Sequence, residues 1–247
     1  EELFYQDLSF GTGGMRGIIG VGTNRINRYQ VARATQAYAN ALVKKHGGRV
    51  EKRVAVGWDT RNLSEQFADV AVRVLLGNGI GVAAFKQPRP VPEMSFAIRE
   101  LKLEGGILIT ASHNPKEYNG YKLYSDYGGQ LVPEDMEPII EEFQKIQEFR
   151  QIHSYVGHLR INSIMNKIGP GVDLRFQDRV CTLAIHGDEE IDQEMGIVYS
   201  ALHGTGAFCV PQVLEKRGFE NLWLVEEQMR PDPEFSTVAA PNPEDHN

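Results

Sequence analysis

From Val31 onward, short apolar runs alternate with stretches whose apolar residues recur every three or four positions. Val31, Ala34, Tyr38, Ala41 and Leu42 form one helical face, followed by Lys44, Lys45 and His46 and stopped at Gly47-Gly48. Val54-Ala55-Val56-Gly57-Trp58 reads as a strand, and Ser64 as the cap of a helix carrying Phe67, Val70, Ala71, Val74 and Leu75. Gly81 to Phe85 is a second strand, residues 93–102 a further helix, and Ile107-Leu108-Ile109 a third strand. This alternation dictates a mainly parallel sheet covered by helices. Right-handed crossovers then collect the strand ends on one edge, where Asp59, Arg61 and Ser112 fall together.

Further along, Asn119-Gly120 reads as a turn before a short strand from Tyr121 to Tyr124, and Gly128-Gly129 as another turn. Residues 133–147 are amphipathic, with Met136, Ile139, Ile140, Phe143 and Ile146 on the core face. Periodicity is lost from about Glu148 to Gly171, which marks a domain junction. Beyond it the pattern restarts: a helix over 172–184, a strand over 197–201, a glycine turn at His203-Gly204-Thr205-Gly206, a helix over 210–216 and a strand over 222–225. The expectation is α/β, with two consecutive domains, 1–158 and 159–247, each a mixed, mainly parallel sheet sandwiched by helices. The second is expected to be incomplete, because Pro241-Asn242-Pro243-Glu244 has the character of a helix start just where the sequence stops.

Charge narrows the partners. A net charge of −7, from 26 basic and 33 acidic side chains, gives no basic face for nucleic acid but allows a small phosphorylated ligand. Two cysteines, Cys181 and Cys209, make no disulfide framework and point to a reducing, cytoplasmic setting. No apolar run is long enough to span a bilayer, and no signal peptide is recognisable.

The chemistry centres on Thr110-Ala111-Ser112-His113-Asn114-Pro115, where an apolar strand ends in hydroxyls, an imidazole and an amide. Three readings of Ser112 compete. It could be a loop residue bonding its own backbone. It could be an acyl-transfer nucleophile, although Ala111-Ser112-His113 lacks the Gly-x-Ser-x-Gly elbow. Or it could carry a phosphoryl group, which demands positioning and charge neutralisation more than covalent help. Arg16 in the glycine-rich stretch Gly11-Thr12-Gly13-Gly14-Met15-Arg16-Gly17, together with Lys122 and Arg61, supplies cations for that third reading.

The serine loop, followed by Tyr118-Asn119-Gly120-Tyr121-Lys122, resembles the active-site loop of the α-D-phosphohexomutases, the family of phosphoglucomutases and phosphomannomutases. Phe10 to Gly17 resembles that family's N-terminal motif, and Trp58-Asp59-Thr60-Arg61 its Asp-x-Arg segment. His203 to Gly206, Pro231-Asp232-Pro233 and Pro241 to Glu244 are similar to its second-domain landmarks, all in the same order. The resemblance implies a resting phosphoserine at Ser112. That serine gives its phosphoryl group to a sugar monophosphate and takes the other one back from a bisphosphate intermediate. By resemblance, the catalytic residues are Ser112, Arg16, Lys122 and His113. Arg16 would stabilise the transferring group, Lys122 would act as acid or base, and His113 would orient the serine. Thr12, Asn114 and Arg61 would hold phosphate or substrate, although Arg61 could equally pair with Asp59 and brace the sheet edge.

The resemblance also implies Mg2+, held by Ser112 and an Asp-x-Asp-x-Asp loop that this sequence lacks, and a sugar bisphosphate as activator. The expected partners are a small phosphosugar and the remaining mutase domains, with no nucleic acid and no membrane. Phosphoglucomutase is the leading activity. Phosphomannomutase, phosphopentomutase and a non-catalytic phosphosugar-binding module are the alternatives, and the fragment alone is expected to be inactive.

Overall fold

The structure is a computed structural model that describes residues 2–11, 13–48, 50, 53–157, 165–187, 191–242 and 244. Its main sheet has seven strands in the order β1-β2-β6-β5-β3-β4-β7. Strands β3 (Val54–Trp58), β4 (Val82–Phe85), β5 (Gly105–Ile109) and β7 (Met165–Ile168) run parallel. The short β1 (Phe10–Gly11), β2 (Gly14–Ile18) and β6 (Tyr118–Tyr124) add an antiparallel flank. Every residue of β3, β4 and β5 is buried, as a strand covered on both faces requires.

The connections explain the helix layers. The chain steps from β3 to β4 through α2 (Ser64–Gly77), then back past β3 to β5 through α3 (Val91–Glu100). Right-handed crossovers in opposite directions put α2 and α3 on opposite faces. Helix α1 (Arg28–Lys45) packs against α2 and α4 (Pro133–Lys145), while α3 packs against α5 (Pro170–Cys181). The reversal leaves a crevice beyond the C-terminal ends of β3 and β5, the general ligand position of open α/β sheets.

Local signals account for most boundaries. Asn27 caps α1, its side chain accepting from the Tyr29 and Gln30 N–H groups, and Gly47 and Gly48 end it with φ of 66° and 110°. Three expectations change. Ser64 is the first residue of α2 rather than its cap: Leu63 holds the cap position with φ 61°, and the Ser64 hydroxyl donates to Asp59 Oδ1 at 2.6 Å. Asn119-Gly120 is not a turn but part of a seven-residue strand. The aperiodic stretch after Glu148 hides β7, which pairs with β4 as the last strand of the main sheet, although it follows the expected boundary at 158/159.

The C-terminal segment adds a two-stranded parallel sheet, β8 (Ile197–Tyr199) and β9 (Leu222–Leu224), with α6 (Val210–Lys216) and the short α7 (Glu226–Met229). The expected helix start at Pro241 to Glu244 lies partly outside the described residues; the Glu244 N–H bonds Asn242 Oδ1 at 3.1 Å. Helix α5 joins this segment to the main sheet through a buried ion cluster. Arg89 Nη2 meets Asp173 Oδ2 at 2.6 Å, and Arg89 Nε lies 3.4 Å from Glu93 Oε1. Glu93 is 1% exposed; burial, with Asp173 beside it, pushes its carboxyl up to about 8. Among the described residues, no helix is long and apolar enough to cross a membrane.

Candidate active site

Strand register brings the predicted cations together. Lys122 on β6 pairs with Leu108 on one side and Gly14 on the other, and Arg16 on β2 pairs with Gly120. Positions two apart on neighbouring strands share a sheet face, so Arg16 and Lys122 are diagonal neighbours. Each stands opposite a glycine. A Cβ at Gly120 would strike the Thr110 and Met15 carbonyl oxygens, and one at Gly14 would strike the Tyr121 carbonyl. Gly120 is thus a strand glycine that permits close backbone approach, which a local turn signal cannot convey.

The serine loop leaves β5 at Thr110, whose N–H bonds the Gly120 carbonyl at 3.0 Å. The Ser112 N–H then donates to Thr110 Oγ1 at 3.0 Å, and Ser112 takes a left-handed φ of 59°. A non-glycine residue in that region costs roughly 1–3 kcal/mol and persists only when its surroundings enforce it. Here the enforcement comes from Arg61. Its Nη1 donates to the Pro115 and Tyr118 carbonyls at 2.9 and 3.2 Å, and its Nη2 to the Ser112 and Asn114 carbonyls at 2.8 and 2.5 Å. One buried guanidinium, 4% exposed, therefore gathers four carbonyls of one loop. This placement turns Arg61 from the phosphate-binding part expected of it to the bracing one, because both terminal nitrogens are already taken.

Asp59 sits below that guanidinium, its Oδ2 3.5 Å from Arg61 Nε. Its Oδ1 accepts the Arg61 N–H at 3.0 Å as well as the Ser64 hydroxyl. Burial raises the Asp59 carboxyl against those hydrogen bonds, and burial lowers Arg61, with Asp59 opposing and Arg16 assisting. Lys122 is lowered for the same leading reason, helped by Arg16 and opposed by Asp59. An amine so placed gives up its proton more readily than a solvated lysine, which suits acid–base work.

Ser112 is exposed, with its Oγ 3.2 Å from His113 Nδ1. Asn114 contributes its carbonyl to Arg61, while its buried side-chain Oδ1 has no hydrogen-bond partner among the described residues. Thr12 lies outside the described residues. Ser112, His113 and Arg61 open onto a cavity of about 390 Å3, walled on the far side by Tyr199, Leu202 and Phe235.

Phe235 and its neighbours are the part sequence reasoning missed. Phe235, with φ 52° and 5% exposure, lies 5.4 Å from the Arg61 guanidinium on one side and edge-on to His203 on the other. Glu234 takes Asn62 Nδ2 at 2.7 Å and Lys116 Nζ at 2.9 Å, strapping the C-terminal segment across the serine loop. The available signal was Pro231-Asp232-Pro233, since Asp232 caps the turn by accepting from the Glu234 and Ser236 N–H groups. His203 is buried and structural: its ring nitrogens meet the Arg230 carbonyl at 2.9 Å and Thr237 Oγ1 at 2.8 Å. The turn there is made by left-handed Leu202 and His203, not by the glycines beside them.

The described residues do not assemble a magnesium site. No group of three or more His, Cys, Asp or Glu side chains among them could hold a metal ion, and Asp59 is occupied by Ser64 and Arg61. Ser112 alone offers an open oxygen, short of the oxygen shell this ion demands.

Comparison with known proteins agrees with this geometry. The family description "Phosphoglucomutase/phosphomannomutase, alpha/beta/alpha domain I" matches residues 7–150, and the corresponding domain II matches residues 175–247. The chain belongs to the phosphoglucomutase/phosphomannomutase family. A phosphoglucomutase of Staphylococcus epidermidis is 34% identical over 245 residues, covering 97% of this chain and 43% of that protein. One of Staphylococcus haemolyticus is 34% identical over 251 residues, covering 99% and 44%. Among solved structures, one assigned as a phosphomannomutase, from Thermus thermophilus, superposes with a TM-score of 0.76 at 28% identity, covering 94% of this chain and 48% of that one. The chain spans less than half the length of the curated relatives it matches.

Proposed function

We propose that this chain is the phosphoserine-bearing part of a phosphosugar mutase, most closely a phosphoglucomutase, acting with the remaining mutase domains. The observation that carries the reading is the exposed, left-handed Ser112 on the loop that leaves β5, with Lys122 and Arg16 as diagonal neighbours on the adjoining β6 and β2.

The phosphoryl group rides on Ser112 Oγ. A hydroxyl of the sugar monophosphate attacks phosphorus, a new sugar O–P bond forms and the P–Oγ bond breaks, the freed Oγ taking up a proton from solvent to become the serine hydroxyl. The proton leaving the sugar hydroxyl passes to Lys122, whose buried amine holds a proton less tightly than a solvated lysine. Arg16 neutralises the spreading equatorial charge. The bisphosphate then turns over, and the reverse step returns its other phosphoryl group to Ser112. His113, 3.2 Å from Oγ, orients the hydroxyl between the two halves. Arg61 and Asp59 hold the loop. A sugar bisphosphate is the activator, because it re-primes a serine that has lost its group. Magnesium belongs with the domains this chain works beside. The setting is cytoplasmic, consistent with two free cysteines, Cys181 and Cys209.

Conversion of glucose 1-phosphate to glucose 6-phosphate by the longer enzyme, with and without Ser112→Ala, tests the proposal. Turnover that disappears in the variant supports it. Phosphosugar binding unaffected by Ser112→Ala, without turnover in either form, points instead to a binding module. Preference for mannose 1-phosphate moves the assignment to a phosphomannomutase.

A further inference from the structure

The turn at residues 232–236 carries the second segment onto the serine loop. Asp232 builds it. Its side chain accepts the Glu234 N–H at 2.9 Å and the Ser236 N–H at 2.8 Å, and its carbonyl accepts the Phe235 N–H at 3.1 Å. Phe235 takes φ 52°, a costly conformation for a bulky residue, which persists only when its surroundings enforce it. Its chain neighbours Glu234 and Ser236 are exposed, yet Phe235 itself is 5% exposed. The turn therefore aims one aromatic ring inward.

The ring meets Arg61. The donors of a guanidinium lie in its plane, and both terminal nitrogens of Arg61 are taken by loop carbonyls. Its flat face remains, and Arg61 Cζ stands over the Phe235 ring at 5.4 Å. Both side chains line the cavity onto which Ser112 opens, so the ring stands between part of the fork and water. Hydrogen bonds shielded in this way hold more firmly than hydrated ones. Glu234, one residue earlier, spans the same two loops. Its Oε1 accepts from Asn62 Nδ2 at 2.7 Å, next to Arg61 in the chain. Its Oε2 accepts from Lys116 Nζ at 2.9 Å, just after Pro115, whose carbonyl Arg61 also holds. The Lys116 and Glu234 side chains are 48% and 54% exposed, so their ion pair adds little energy; what it adds is a fixed separation.

We propose that Phe235 and Glu234 are positioning residues for phosphoryl transfer: from the second segment they grip the Arg61 fork and the two loops it joins, and thereby fix where Ser112 stands. The inference rests on the mutase reading of Ser112. Their contacts run to Arg61, Asn62 and Lys116 rather than to Ser112 Oγ, so they act through the loop. A misplacement of about 1 Å can cost a transfer reaction about 10²-fold in rate. Arg61 keeps its own hydrogen bonds when the ring is removed, so the loss should be smaller, about tenfold. A turn that merely attached the second segment would affect stability and leave the rate of folded molecules unchanged.

The test is steady-state conversion of glucose 1-phosphate by the longer enzyme and its variants, each measured well below its own unfolding midpoint. Phe235→Leu keeps the apolar bulk and removes the ring; kcat should fall about tenfold, with KM within about twofold of the parent's. Glu234→Gln, at an exposed position that leaves folding intact, keeps an acceptor for Asn62 but loses the charge opposite Lys116, and kcat should fall about two- to threefold. Phe235→Leu added to Arg61→Lys should cost little beyond Arg61→Lys alone, because both act through one fork. Losses in kcat that multiply in the double variant overturn the inference. So does a Phe235→Leu kcat equal to the parent's, or a raised KM at unchanged kcat, which makes Phe235 a sugar contact. Should Phe235→Leu fail to fold, Glu234→Gln carries the test, and a kcat equal to the parent's overturns the inference. A parent enzyme without turnover overturns the mutase reading and this inference together, whereas an active parent with unaffected variants overturns the inference alone.

Discussion

Replacing Arg61 with lysine isolates the device that shapes the serine loop. The change keeps the charge opposite Asp59 but removes the fork that serves four carbonyls. An ammonium is a point donor. It can follow the Pro115–Tyr118 pair or the Ser112–Asn114 pair, not both. At least two hydrogen bonds from a charged donor are lost, each worth about 1.5 kcal/mol net. The loop borders solvent, so water recovers part of this, leaving an expected destabilisation of about 2 kcal/mol. Urea unfolding reads it as a lower midpoint at unchanged slope. Limited proteolysis between His113 and Tyr118 should speed up in parallel, because the loop is what the fork restrains. Arg61→Ala should cost more, about 3–5 kcal/mol, since it also leaves the buried Asp59 carboxylate unpaired. Adding Asp59→Asn should recover part of that excess. A lysine variant within about 0.5 kcal/mol of the parent, with an unchanged cleavage rate, refutes the reasoning.

Other outcomes follow from the same geometry. Gly120→Ala drives a Cβ into two backbone carbonyls and should cost about 1–3 kcal/mol in the same unfolding assay; a neutral result would contradict the close approach of β2, β5 and β6. Glu93 keeps its proton to about pH 8 when folded, whereas its ordinary carboxyl ionises near 4.5. The folded chain therefore holds the extra proton, and stability should fall as pH rises between those values. Asp173, held low by Arg89, contributes its own change only below the ordinary aspartate range. Glu93→Gln should flatten the fall, and a slope equal to the parent's would reject a buried neutral Glu93. In the longer enzyme, Lys122→Met should lower kcat by about 10²-fold or more, with KM changed much less; a pure KM effect would assign Lys122 to binding alone.

Much of this was legible in the sequence because it is local. Periodicity located α1 and α2, and the apolar runs located β3 and β5, because a doubly covered strand must be apolar throughout. The placement of Ser112 beside Asp59 and Arg61 followed from crossover handedness. What escaped was long-range. Gly120 is fixed by carbonyls on two neighbouring strands, so its Asn-Gly pair carries a turn signal that tertiary pairing overrides. Ser64 looks like a cap, yet its hydroxyl is claimed by Asp59, five residues earlier. Strand β7 has little pattern of its own and is defined by β4. Phe235 gave no sign that it would reach Arg61 and His203, since such a contact exists only after the second segment docks.

The account rests on Ser112 as the phosphoryl carrier. The most direct measurement exposes the longer enzyme to glucose 1,6-bisphosphate labelled in its phosphoryl groups, quenches it, and maps the label by peptide mass spectrometry. The label is predicted on the peptide containing Ser112, and it should be released to glucose 1-phosphate on chase. Full mutase turnover with no label on Ser112, or with the label on another residue, would contradict the account.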